Sequence, residues 1–200
     1  MYDSICVTGH RPNKLFGYDI HSEDYRKLFI EFKRCIYVTA EKLIDICYHM
    51  GITPHDDERP LVIYTGMALG VDQLFAEAAF AARDYYKGLG ILDIEVVAVV
   101  PCKGQESKWR KENADLYNDI LSKCDQVIVL ADKYTKDCMQ KRNEYMVDNS
   151  DLVFSVWDGT PGETANCTNY ALEKNKTIIR IDPKTCYSSY YNLNEKYKIA

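Results

Sequence analysis

The sequence predicts an α/β fold, a three-layer sandwich with a mainly parallel sheet and helices on both faces. Three observations carry that expectation. Short runs of apolar, often β-branched residues alternate with segments whose apolar residues recur at helical spacing. The runs are apolar almost throughout, as in strands covered on both faces of a parallel sheet. The turns that follow them are rich in Gly, small hydroxyls and cations.

Residues 5–8 read as a first buried strand ending at Gly9. Residues 23–50 read as a long helix, with Leu28, Phe32, Cys35, Ile36, Leu43, Ile46 and Cys47 on one stripe and Gly51 as its stop. Residues 53–60, carrying Pro54, Asp56, Asp57 and Pro60, form a polar loop before a second strand at 61–64. Val71, Leu74, Phe75, Ala78, Ala79, Ala82 and Tyr86 then mark a helix ending before Gly88. Residues 94–100 are a strand closed by Pro101, and 108–121 a helix with Leu116, Ile120 and Leu121 inward. Another buried strand is expected at 127–131, a helix at 139–149, a fifth strand at 152–157, a fifth helix at 164–174 and a sixth strand at 177–181. Residues 1–182 thus make one domain without repeat or linker. Residues 183–200 are a tail with Tyr187, Tyr190, Tyr191 and Tyr197, whose packing (an extra helix or a partner contact) the sequence leaves open.

The 200 residues are 46% hydrophobic and 28% charged, ordinary values for a soluble domain with a substantial core. A net charge of −5 disfavours nucleic acid and anionic membrane as partners, while leaving room for a local basic patch. The first residues carry no basic region followed by an apolar run, so no signal peptide is expected, and no stretch approaches the ~20 apolar residues of a membrane span. The cytoplasm is the expected location. The eight cysteines contain no C-x-x-C pair and no His at metal-site spacing, which favours reduced, buried thiols over disulfides or zinc. No metal or cofactor is expected beyond a nucleotide ligand.

Ligands of such sheets bind at the carboxyl ends of the strands. The densest signal there is Ile63-Tyr64-Thr65-Gly66-Met67-Ala68-Leu69-Gly70-Val71-Asp72, a strand, a Gly-rich turn and a helix start. Free N–H groups and the helix dipole make that order a cradle for phosphate, although a tight turn without ligand needs the same glycines. Asp72 either complements the dipole or meets a ribose or base. After the first strand come Thr8, Gly9, His10 and Arg11, whose planar fork suits phosphate or carboxylate, with Pro12 fixing the turn and Lys14 read as a solvated charge. After the third come Lys103, Gln105 and Trp109, the last a base-stacking or core aromatic. Arg142 and Asn143 lie on the fourth helix, where Arg142 either fastens the helix to a carboxylate or reaches the crevice. The last turn is Asp158-Gly159-Thr160-Pro161-Gly162-Glu163-Thr164.

Taken together, four blocks resemble the SLOG superfamily and most closely its YpsA-like branch. They are Thr8-Gly9-His10-Arg11-Pro12, Gly66-Met67-Ala68-Leu69-Gly70-Val71-Asp72, Arg142 to Asp148 with Ser150-Asp151, and Trp157-Asp158-Gly159 with Gly162-Glu163-Thr164. The resemblance spans most of residues 5–182 and implies a Rossmann-like fold that binds nucleotides or nucleotide-derived ligands. It tips Arg142 towards the crevice. The superfamily also holds the lonely guy phosphoribohydrolases, which carry a similar Arg block and a P-G-G-x-G-T-x-x-E motif with catalytic Arg and Glu. Arg142 matches the first; Asn166 or Cys167 stands where the Glu belongs, and Glu163 lies at the wrong offset. The YpsA-like branch usually has Gly-Gly-Thr where this chain has Gly162-Glu163-Thr164, so a carboxylate there either narrows the phosphate site or accepts ribose hydroxyls.

The leading expectation is a binding module for a nucleotide, an ADP-ribose or NAD-related molecule, acting as sensor or sequestering protein. The alternative is a hydrolase of an N-glycosidic or phosphate bond, with Arg142 and Glu163 as catalytic candidates. Single-stranded DNA binding, known of the related DprA proteins, ranks third because of the acidic balance. Such folds often pair through helices, so the 23–50 helix is a candidate surface for a homo-oligomer.

Overall fold

The computed structural model describes residues 3–54 and 60–191. β1 (Ser4–Gly9) leads through a 3-10 turn (Pro12–Lys14) into α1 (Glu23–His49), whose first turn carries Glu23 and Asp24 against the helix dipole. β2 (Leu61–Thr65), α2 (Val71–Leu89), β3 (Ile94–Val100) and α3 (Lys111–Lys123) follow. The chain then forms β4 (Gln126–Val129), α4 (Cys138–Asp148), β5 (Leu152–Val156), α5 (Glu163–Glu173), β6 (Thr177–Ile181) and β7 (Ser188–Tyr190). Of the polar loop expected at 53–60, residues 55–59, with Asp56 and Asp57, lie outside the described residues.

The sheet runs β4-β3-β2-β1-β5-β6-β7, parallel except for the β6–β7 pair. Side-chain alternation splits the core into two layers. Ile5, Val7, Ile63, Val96, Ala98, Phe154 and Val156 pack under α1, α2 and α3. Cys6, Val97, Val99 and Val153 pack under Met146, Val147, Cys167 and Ala171 of α4 and α5. Strands that bury both faces cannot show a period of two, which is why the sequence runs are continuously apolar. All eight cysteines are free and all but Cys124 are buried. Among the described residues, no helix is long and apolar enough to cross a membrane.

Two expectations need correction. Gly88 does not stop α2; the helix runs on to Leu89 and ends at Gly90, which takes the left-handed conformation (φ 65°) that closes helices. β4 is not a buried strand: it is the free edge of the sheet, with Val127 and Val129 exposed. The tail after Pro183, whose packing the sequence left open, is described as far as Tyr191, and among those residues there is no helix. Ser188–Tyr190 adds an antiparallel edge strand, tied to α1 where Arg34 Nη2 donates to Ser188 Oγ at 2.7 Å and the Ser188 N–H donates to Glu31 at 3.0 Å. Tyr197 lies outside the described residues.

Candidate functional site

Connections from β1, β2 and β3 all run to one side of the sheet order, whereas β5 and β6 lie on the other side of β1. The order therefore switches between β1 and β5, and the loops leaving their carboxyl ends diverge to leave a crevice. His10 and Asp158, the residues next to those strand ends, meet across the switch. His10 Nε2 lies 2.8 Å from Asp158 Oδ1 and the imidazole is buried. Its Nδ1 faces the Thr164 hydroxyl at 3.4 Å. With Nε2 donating to the carboxylate, a neutral His10 has Nδ1 free to accept from Thr164.

Asp158 is held well below the usual carboxylate range, first by the Thr160 hydroxyl, then by the Thr160 N–H and His10. A depressed folded-state value contributes stability above the unfolded value near 4, and that contribution fades as the pH falls towards the folded value. Asp158→Asn is accordingly expected to flatten the acid side of the stability profile below about pH 4, where the unfolded carboxyl titrates. Urea denaturation across that range checks it. A variant profile parallel to the wild type would show that the His10–Asp158 contact does not differ between folded and unfolded chains.

Above this pair stands the N-terminus of α5. Its N-cap is Gly162, at φ 150°, a conformation that side chains rarely adopt, and no side chain caps the first turn. The first N–H groups of the helix have no intrahelical partner and carry the positive end of the dipole. Two cations lie beside them. Lys14 Nζ donates to Pro161 O at 3.3 Å, and Arg11 Nη2 approaches Glu163 Oε2 at 3.5 Å. The Arg11 and Glu163 side chains are 42% and 65% exposed, so this contact is a solvated one that contributes little. Lys14 is no mere solvated charge. The 3-10 turn that begins at Pro12 folds the chain back and sets residue 14 over the last turn, a reversal that residue spacing does not reveal.

The 65–72 turn is built differently from the expected cradle. Asp72 is buried and fills the turn from within: its Oδ2 accepts the Ala68 N–H at 3.1 Å and Arg142 Nη1 at 2.8 Å. Complete burial pushes the Asp72 carboxyl up, against Arg142 and the Ala68 N–H, which hold it down. Thr65 Oγ1 donates to Asp72 O at 2.7 Å and accepts from the Met67 N–H at 3.4 Å. Met67, fully buried, sits at φ 59°, a strained conformation for its side chain, and its carbonyl accepts from Gln105 Nε2 at 2.9 Å. Arg142 thus fastens α4 to α2 rather than reaching into open crevice, and both side chains of the pair are only 6% exposed.

The remaining candidates divide. Thr8 and Asn143 are buried beside this framework, Asn143 on α4 next to Arg142. Gly9 ends β1 against Val71, the first residue of α2, which brings the two turns together. Lys103 stands two strands away after β3, exposed and paired with Asp132 at 2.5 Å. Trp109 packs edge-on against Tyr117, with centroids 5.4 Å apart, as part of the core margin. Gly159 is exposed at φ 94° between Asp158 and Thr160. The group the structure brings together is His10, Arg11, Lys14, Asp158, Gly162, Glu163 and Thr164. Among the described residues, no cluster of three or more His, Cys, Asp or Glu could hold a metal ion.

The chain is similar to several known proteins. The SPbeta prophage-derived protein YoqJ of Bacillus subtilis is 32% identical over 119 residues, 54% of this chain and 67% of YoqJ. A UPF0398 protein of Bacillus velezensis is 24% identical over 186 residues, covering 92% of this chain and 89% of its own. The UPF0398 protein YpsA of Bacillus subtilis is 24% identical over 156 residues, 77% of this chain and 75% of YpsA. A model of the YspA SLOG family matches residues 5–186, from β1 to just short of β7. The chain belongs to the YspA SLOG family.

Proposed function

We propose that the protein binds a nucleotide or nucleotide-derived ligand, ADP-ribose or NAD-related, with an anionic group seated at the N-terminus of α5. The observation that carries this reading is the convergence of Arg11 and Lys14 on a glycine-capped helix start at the switch point. Free N–H groups, a dipole and two exposed cations are what a phosphate needs, and no group there must be desolvated beforehand. His10 and Asp158 brace the floor, and family membership points to the same ligand class. Such binding would suit a sensor or a sequestering protein.

Thermal shift and calorimetry with NAD, ADP-ribose, cyclic ADP-ribose and common mononucleotides test it. At least one should stabilise the protein, with an affinity that falls as salt rises. Arg11→Ala and Lys14→Ala should each weaken that ligand about tenfold or more, the size of one charge-assisted hydrogen bond. No stabilisation by any member of the panel would sink the proposal.

A second reading rests on the Asp158–His10–Thr164 chain. A hydroxyl facing an imidazole that is oriented by a carboxylate is the arrangement that activates nucleophiles or water. In that case water adds across an N-glycosidic bond of a bound nucleotide, releasing the base. Incubation with nucleoside monophosphates and NAD, followed by chromatography, distinguishes the two. Turnover that persists in His10→Ala removes His10 from the chemistry, and turnover absent from the wild type leaves binding alone.

A further inference from the structure

The outer stripe of α1 is complementary to itself when reversed. A helix turns by about 100° per residue, which sets Arg26, Ile30, Lys33, Glu41, Ile44 and Tyr48 within about 40° of Tyr37 on one face. They stand in matched steps about Tyr37: Lys33 and Glu41 nearest, then Ile30 and Ile44, then Arg26 and Tyr48. The stripe is largely open to solvent. Ile30 is 56% and Tyr48 79% exposed, Arg26 and Glu41 are exposed, and Lys33, Tyr37 and Ile44 are half-buried. Tyr85 of α2, itself exposed, stacks on the Tyr37 ring with centroids 5.3 Å apart, so the middle of the face is a broad aromatic pad. Large apolar side chains gathered on one bare face mark an interaction surface.

A two-fold dimer needs a patch that complements itself, residue i meeting j while j meets i. Two copies of α1 laid antiparallel about an axis at Tyr37 meet that condition at each step. Tyr37 faces its own copy, Lys33 faces Glu41, Ile30 faces Ile44, and Arg26 faces the Tyr48 ring, a cation against an aromatic face. Each of the unlike pairs forms twice. A parallel arrangement would instead set Lys33 on Lys33 and Glu41 on Glu41, so charge selects the antiparallel one. Among the described residues, neither Lys33 nor Glu41 forms an ion pair; the Lys33 ammonium lies 5.5 Å from the centre of the Tyr37 ring. The other cations of the helix are engaged: Lys27 with Asp24, Arg34 with Glu31 and Ser188, Lys42 with Tyr190, and Arg26 loosely with Glu23.

We infer that this stripe is a self-association surface, on which a second copy of the chain pairs antiparallel about an axis at Tyr37. The 27 residues of α1 make a helix about 40 Å long, and a face roughly 10–12 Å wide buries on the order of 400–500 Å² per copy. That lies at the low end for specific interfaces and fits a dissociation constant of about micromolar. The pairing uses none of the residues around His10, Asp158 and the start of α5.

Sedimentation velocity on the full chain over a concentration series tests this. The wild type should pass from monomer to dimer at about micromolar concentration. Lys33→Glu and Glu41→Lys each bring like charges together twice, and each should weaken the dimer about tenfold or more. The double variant restores opposite charges at both places and should recover the wild-type affinity. Ile30→Asp, at an exposed position, should weaken it as well and serves if a charge reversal disturbs folding. A wild type monomeric at every concentration overturns the assignment. So does a dimer indifferent to both reversals, a double variant no tighter than the singles, or a dimer that Ile30→Asp leaves intact. None of these readouts depends on whether a nucleotide binds.

Discussion

Asp72→Ala is expected to destabilise the protein by about 3–5 kcal/mol, the loss typical of a buried ion pair that loses one partner. The substitution would leave the Arg142 guanidinium buried with no counter-charge. Its Nε already lacks a partner, so little else remains to satisfy it. The Ala68 N–H would lose its acceptor as well. Arg142→Met should be costly for the mirror-image reason, since it strands a buried carboxylate. The double variant is the sharper measurement. Replacing both partners by apolar groups is often neutral, so Asp72→Ala with Arg142→Met should recover much of the single-variant loss. Urea denaturation with an unchanged slope provides the numbers. A loss below about 1 kcal/mol for Asp72→Ala would place the pair with exposed salt bridges, which contribute little. In that case the guanidinium reaches water, and the view of Arg142 as a brace fails.

Local periodicity made most of the fold readable. The strands at 94–100 and 177–181 match the expected bounds, and α1 and α5 match within a residue or so, because each carries an unambiguous apolar pattern. What the sequence left unread about the strands has one cause. An apolar run such as Val127-Ile128-Val129-Leu130 tells that a strand forms but not where it sits in the sheet, and strand order is set by long-range pairing. The same holds for β7, whose Ser188-Ser189-Tyr190 has no strand signal of its own. It pairs because β6 offers an open edge and Glu31 and Arg34 of α1 take up Ser188.

The candidate site was readable as a set of turns but not as an arrangement. Residues after β1 and β5 could be named from the sequence, since parallel sheets collect ligands at strand ends. Which turn presents free donors could not. Gly66 to Asp72 and Gly162 to Thr164 look alike on paper, each a glycine-bearing turn with a carboxylate at the helix start. The difference lies in Arg142, seventy residues from Asp72, which draws that carboxylate inward, while Glu163 meets only the exposed Arg11 and stays on the rim. Lys14 was read as a solvated charge for a related reason, since a lysine carries no pattern until the chain folds something beside it.

Gly66→Ala separates the two meanings of the glycines in that turn. Gly70 stands at φ 94°, where any side chain is strained, and Pro12 Cδ would lie 3.1 Å from an added Cβ. Gly66 is not in the left-handed region, so an alanine meets no backbone objection there. What it meets is Arg142: an added Cβ would fall 1.4 Å from Nη1, 2.4 Å from Cζ and 2.7 Å from Asp72 Oδ2. The end of an arginine ordinarily swings aside at small cost. Here it is buried and bound to Asp72, so moving it breaks the pair, and the expected loss is about 3 kcal/mol or more. In an Arg142→Met background, with the guanidinium gone, only the 2.7 Å approach to Asp72 Oδ2 remains, so the same substitution should cost clearly less, a non-additivity that marks direct contact. If Gly66 instead served a phosphate, the outcome would differ in kind. Gly66→Ala would fold normally and lose ligand in both backgrounds. Loss of stability that Arg142→Met relieves therefore argues that this glycine makes room for the brace rather than for a phosphate.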